Sequence, residues 1–260
     1  MRSLLLFFLI YVYSAIACLY LFTMGIFAAK NRAFIRRISD YFGFRPGAPD
    51  LSIPSASLSS IVRDDISFRI LESESIDGNV TLFELMALVK LSIANASKAI
   101  FEIGTFDGRT TLNLAANAPF DAKVFTLDLP RENMDDAQGT ISRADRPYIN
   151  KKASGARFVG TEYEHKITQL YGDSAIFDFS SYFNNIDFVF VDGAHTYDYL
   201  MSDTDRAIKM LRSGKGVIAW HDYGRDNGAT RALNDLFNND ARFKNIKRIN
   251  GTSLVVGFFS

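Results

Sequence analysis

A chain of 260 residues, 48% hydrophobic and 22% charged, is long enough for one well-filled α/β domain and an appendage. Its 29 basic side chains equal its 29 acidic ones, but five of the basics fall in residues 1–37, so residues 38–260 carry 24 against 29, a formal charge of −5. That balance argues against a nucleic-acid footprint, and a single cysteine, Cys18, rules out an internal disulfide and fits a reducing compartment.

The appendage comes first. Residues 3–29 contain no charged side chain, and the runs 4–13 and 18–22 are almost wholly apolar. A transmembrane helix needs roughly 20 such residues, whereas a cleaved secretory signal has an apolar stretch of only about 7–15. This run is longer and continues past Ser14, Ala15 and Ala17. A lipoprotein signal at Ala15-Ile16-Ala17-Cys18 is a poorer fit, because uncharged chain goes on beyond the cysteine. The length predicts an uncleaved single-pass anchor over residues 3–29. Arg2 precedes it, whereas Lys30, Arg32, Arg36 and Arg37 follow, and positive residues stay cytoplasmic. The C-terminal part is therefore expected in the cytoplasm, with the same basic residues against anionic lipid. Residues 1–37 form the anchor and its basic flank, and 38–60, with Pro46, Gly47, Pro49 and Pro54, read as a linker. Residues 61–260 are left as the main domain.

Within that domain, residues 81–96 have a helical apolar pattern, with Asn79 or Thr81 as the cap. Ala99 to Ile103 is a short apolar run that breaks at Gly104, reaches Gly108 and resumes as helix-forming Thr110-Thr111-Leu112. Strand, glycine turn and helix are the first half of a βαβ unit whose turn holds a small ligand. Phe106 stands where a dinucleotide fingerprint needs its second glycine, and Glu102 would set negative charge beside any phosphate. A cationic or amine-bearing ligand suits it better. The next strand, Lys123 to Asp128, ends in an acid able to accept from both hydroxyls of a ribose.

Residues 129–165 are irregular, and read equally well as a polar surface insertion or as a loop over a substrate. Strands follow at 167–171, leading to Gly172-Asp173-Ser174, at 186–192 and at 217–220. Helices follow at 197–211 and 230–237. Residues 243–259 read as two strands turning at Asn250-Gly251. The alternation predicts a doubly wound, mostly parallel sheet closed by an antiparallel edge strand.

Two of the three histidines sit at strand ends, in Asp192-Gly-Ala-His195 and in His221-Asp222. If these strands are neighbours, their ends lie about 5 Å apart. Asp192, His221 and Asp222 then converge on one divalent cation, Mg²⁺ or Mn²⁺, with His195 close by. The bland alternative is that the two acids cap turns and the histidines are satisfied hydrogen-bonders.

These motifs resemble the class I S-adenosylmethionine-dependent methyltransferases, with Glu102-Ile-Gly-Thr-Phe-Asp-Gly108 as the first motif and Asp128 as the ribose acid. Phe188 to Tyr197 and Val217 to Tyr223 resemble the branch that includes metal-dependent sugar O-methyltransferases. The resemblance covers residues 80–260 and implies a seven-stranded Rossmann-like sheet. It implies that Glu102, Gly104, Thr105, Phe106, Gly108, Thr110 and Asp128 hold S-adenosylmethionine, with Asp173 and Ser174 near the adenine. It further implies Asp192 and Asp222 as metal ligands and His195 as general base. One departure stands out: His221 occupies a position that is acidic in that branch. The implied activity is O-methylation of a sugar, glycan or similar small acceptor. Alternatives are a phenolic O-methyltransferase and a non-catalytic, membrane-tethered protein that only binds the nucleoside.

Overall fold

In a computed structural model the chain divides into two units, residues 1–48 and 49–260. The structure describes residues 2–28, 31, 32, 34, 35, 38, 39, 42, 49–135, 137, 138, 141, 142, 145–151, 153–225 and 228–260. Of the basic flank, Lys30, Arg36 and Arg37 lie outside the described residues, as do Pro46 and Gly47 of the expected linker.

The first unit is built on helix α1, Arg2–Phe22. Its segment Leu4–Phe22 is 19 residues long and apolar enough to cross a membrane by length and composition. Most of its side chains are exposed, Phe7 and Tyr13 among them. The helix ends where Thr23 Oγ1 turns back to donate to the Leu19 carbonyl at 2.7 Å, and a 3₁₀ turn, Met24–Phe27, follows.

The second unit is an eight-stranded sheet with strands β1 Ser55–Ala56, β2 Ala99–Ile103, β3 Lys123–Asp128, β4 Ile167–Tyr171, β5 Phe188–Val191, β6 Gly216–Trp220, β7 Lys247–Ile249 and β8 Val255–Phe259. Their order is β1-β7-β8-β6-β5-β2-β3-β4. Five strands, β6-β5-β2-β3-β4, form the expected parallel set, and β7 and β1 run in the same direction, while β8 runs antiparallel to both β6 and β7. Two expectations are corrected here. The antiparallel strand is not an edge, because β8 is inserted between β6 and β7. The sheet has an eighth strand, because Ser55–Ala56 pairs parallel to β7. Ile53 and Leu58, on either side of that strand, are buried, so this part of the expected linker packs with the domain.

Both faces of the sheet are covered, which is why its central strands read as unbroken apolar runs. Along β5, Phe188 and Phe190 face one layer and Val189 and Val191 the other. The first layer holds α3, Leu82–Ala94, and α4, Arg109–Asn117, after the short α2, Leu58–Ile61. The second holds α6, Tyr197–Met210, and α7, Gly228–Asn239. Of the two candidate caps, Thr81 is the one used. Its hydroxyl accepts from Glu84 N at 3.2 Å while Glu84 Oε2 accepts from Thr81 N at 2.8 Å, a reciprocal capping box.

The chain runs from β2 outward to β3 and β4, then returns to place β5 on the other side of β2. A doubly wound sheet opens a crevice at such a reversal, outside the carboxyl ends of its strands. Here that crevice lies between β2 and β5.

Candidate active site

The crevice contains a cavity of about 240 Å³. Gly104 and Phe106 reach it from the turn after β2, Asp128 from β3, and Asp173 and Ser174 from the turn after β4. Asp192 and His195 come from beyond β5, and His221 and Asp222 from beyond β6. The structure thus brings nine of the expected site residues into one cavity.

Four others do not line it. Glu102 is buried beneath the turn, where Thr126 Oγ1 donates to its Oε2 at 2.6 Å and Thr111 Oγ1 donates to the same oxygen. Burial, only partly offset by those bonds, pushes its carboxyl up to about 8, so near neutrality Glu102 is mostly uncharged. The expected negative charge beside the ligand is therefore not supplied by this residue. Thr105 is buried against Thr126, their hydroxyls 2.7 Å apart. Thr110 is buried in the first turn of α4.

The glycines of the turn answer to the protein's own backbone. A Cβ on Gly104 would lie 2.1 Å from the Asp192 carbonyl oxygen, so only glycine lets the ends of β2 and β5 meet. Gly108 caps α4 in the left-handed region, and a Cβ there would sit 2.7 Å from Gly155 Cα. The ligand gains from these approaches indirectly, through the shape of the crevice.

Strands β5 and β6 are neighbours, with Val191 opposite Trp220, so the residues after them converge as expected. His221 Nδ1 is 2.8 Å from Asp192 Oδ1 and 3.4 Å from Asp222 Oδ1, and its Nε2 faces Glu84 Oε2 at 3.5 Å. Asp222 adopts a left-handed backbone, φ 64°, in which its carboxylate also meets Arg225 Nε at 2.8 Å. His195 lies between two carboxylates, its Nδ1 on Asp145 and its Nε2 on Asp222. Burial alone would lower the imidazole; the bonds to Asp145 and Asp222 outweigh it and push His195 up to about 10. His221 is likewise raised well above its ordinary value, burial opposing and Asp192, Glu84 and Asp222 prevailing.

Could this donor set hold a cation? One atom each from Asp192, His221 and Asp222 lie within 4.8 Å of one another. Ligands about 2.1 Å from a hard cation sit about 3 Å from each other, so the observed spacings fit. Two carboxylates and an imidazole suit Mn²⁺ or a similar ion, provided His221 first gives up its proton.

Residues 101–223 match a family model described as a methyltransferase domain. The match runs from β2 to the strand end after β6, the stretch that carries most of the cavity residues. The fold is similar as well. The O-methyltransferase TomG from Streptomyces achromogenes, involved in tomaymycin synthesis and solved with SAM, superposes with a TM-score of 0.50 at 16% identity, covering 73% of this chain and 92% of that one. Cofactor-bound Rv0187 from MTB gives 0.50 at 16% identity, over 72% and 84% of the two chains. Among curated proteins the sequence has no match.

The cavity also uses residues that sequence reasoning passed over. Ile141, Asp145, Tyr148, Ile149 and Lys151, all from the irregular segment 129–165, line it. Within that segment, α5, Arg146–Ile149, is too short to announce itself by periodicity. Glu84 carried no signal in the sequence analysis, although it both caps its helix and faces His221.

Proposed function

We propose that the chain is an S-adenosylmethionine-dependent O-methyltransferase of a hydroxylated small molecule, held at a membrane by α1. The observation that carries this is the division of one cavity: Gly104, Asp128, Asp173 and Ser174 on one side, and the Asp145–His195–Asp222 chain on the other. Methyl transfer from a sulfonium is an in-line displacement, so the protein must hold donor and hydroxyl in line and remove one proton. Asp128 would accept from the ribose hydroxyls. Phe106 and the turn after β4 would border the nucleoside. His195, held by Asp145, would take the acceptor's proton. Asp192, His221 and Asp222 would hold a divalent cation, Mg²⁺ or Mn²⁺. When bound there, it lowers the pKa of a hydroxyl that it contacts.

The acid-lined wall with Asp77 and Asp145 favours a polyol acceptor such as a sugar or glycan. A phenolic acceptor is the second reading, supported by the Phe106 and Tyr148 rings, which meet edge to face at 5.9 Å beside the cavity. Purified protein should bind S-adenosylmethionine or its demethylated product in calorimetry. Asp128→Ala should weaken that binding by about 1–3 kcal/mol through lost hydrogen bonds. Clear binding of NAD with none of either nucleoside would overturn the assignment.

The exposed apolar side chains of α1 and the basic residues after it support a single-pass anchor with the domain in the cytoplasm. A reporter fused after Ser260 should register the cytoplasm, and removal of residues 1–30 should release the protein from membranes. An external reporter, or a mature chain beginning at Cys18, would refute this topology.

A further inference from the structure

Asp128 is already engaged. Lys151 Nζ lies 2.6 Å from its Oδ2, and Ser154 Oγ donates to the same oxygen. The Lys151 side chain is only 12% exposed, so this is an enclosed ion pair and not a surface contact. Both partners come from the chain just after α5, and Lys151 itself lines the cavity. We propose that Lys151 is an internal competitor for the ribose seat: it occupies Asp128 until the nucleoside displaces it, and the segment 145–151 loosens as the cofactor enters. This rests on the cofactor assignment made above.

Three physical points support displacement over coexistence. A carboxylate offers about four acceptor positions, and a ribose diol needs two. Lys151 and Ser154 already take both positions on Oδ2, leaving a diol only the other oxygen. Space is also short, since a cavity of about 240 Å³ falls below the roughly 300–1,000 Å³ usual for ligand sites. Finally, an ammonium held beside the cavity repels the sulfonium of S-adenosylmethionine and, in that ligand and its demethylated product alike, the ammonium group.

Displacement should be felt beyond Asp128. The segment 145–151 is held at a second point, where Asp145 meets His195 and its backbone N–H donates to the Ser142 carbonyl at 3.2 Å. Between the two points lies α5, only four residues long, which has no stability of its own. Tyr148 adds the ring contact with Phe106. Releasing Lys151 therefore removes one of the few ties on a segment that also carries Asp145, and so links cofactor entry to the His195 side of the cavity.

The test uses the full chain and S-adenosylhomocysteine as the probe. Calorimetry compares wild type with Lys151→Met, which removes the competitor, and Lys151→Arg, which keeps a cation there. Lys151→Met should bind about 3- to 10-fold tighter, as expected when a modest closing equilibrium is removed. Lys151→Arg should stay near wild type. In wild type, the nucleoside should also speed hydrogen exchange across residues 145–151, a readout that needs no variant. Unchanged or weaker binding by Lys151→Met, or exchange that is unaltered or slowed by the nucleoside, overturns the proposal. Tight wild-type binding with either of those results sinks the competitor alone. Absence of binding in all three proteins instead sinks the cofactor assignment, and the competitor falls with it.

Discussion

His195→Ala should lower turnover about 10²- to 10⁴-fold, the usual loss when a general base is removed, while affinity for S-adenosylhomocysteine changes no more than the few-fold that a looser segment 145–151 allows. Affinity is largely spared because the ribose acid lies at the end of β3, two strands away from β5, which leads to His195. The pH profile makes the test specific. With Asp145 on Nδ1 and Asp222 on Nε2, the ring is pushed up to about 10, so its base form accumulates only as pH rises toward that value. Wild-type turnover should therefore climb above neutral pH, and the residual rate of His195→Ala should lack that climb. A variant within a few-fold of wild type, or one with the same rising limb, would remove His195 from the proton path. Asp145 would then be left as a purely structural partner.

What could be read without coordinates followed from physical regularity. Central parallel strands are covered on both faces, so 99–103, 123–128 and 188–191 stand out as apolar runs, and the residue that ends or follows each, Gly104, Asp128 and Asp192, marks the ligand side of the sheet. That reasoning placed Asp128, Asp192, His195, His221 and Asp222 at one crevice from their positions alone. It went astray where one residue type serves two needs. Glu102 reads as a charge for a ligand, yet it is buried under two threonines. Gly104 reads as room for a ligand, yet the Asp192 carbonyl fills that room. Asp145 and Lys151 left no trace, since an irregular segment has no period to break. Strand β1 was equally silent: two residues are too few to show alternation, and only the buried Ile53 and Leu58 on either side reveal its role.

The departure at His221 leads to the second large effect. A strong chelator should abolish turnover and leave nucleoside binding intact, because Asp192, His221 and Asp222 are grouped away from Asp128. Binding of the cation itself can be followed without any reaction, by titrating Mn²⁺ into metal-stripped protein and reading its magnetic resonance signal. His221 is raised well above its ordinary value by its carboxylate neighbours, so it must shed a proton to become a ligand. Mn²⁺ affinity should consequently rise with pH, and the heat of binding should vary with the buffer as one proton is released. His221→Asp removes that proton cost and replaces a nitrogen by a hard oxygen, which should shift preference from Mn²⁺ toward Mg²⁺. Asp222 supplies a second consequence: a carboxylate turned toward a cation gives up its bond to His195 Nε2, leaving the ring with Asp145 alone. The cation should thus lower the pH at which the rising limb of turnover begins. Full activity in strong chelator, with no Mn²⁺ bound by the stripped protein at any pH, would show that the Asp192–His221–Asp222 cluster is an internally neutralised ion network and that His195 works without a cation.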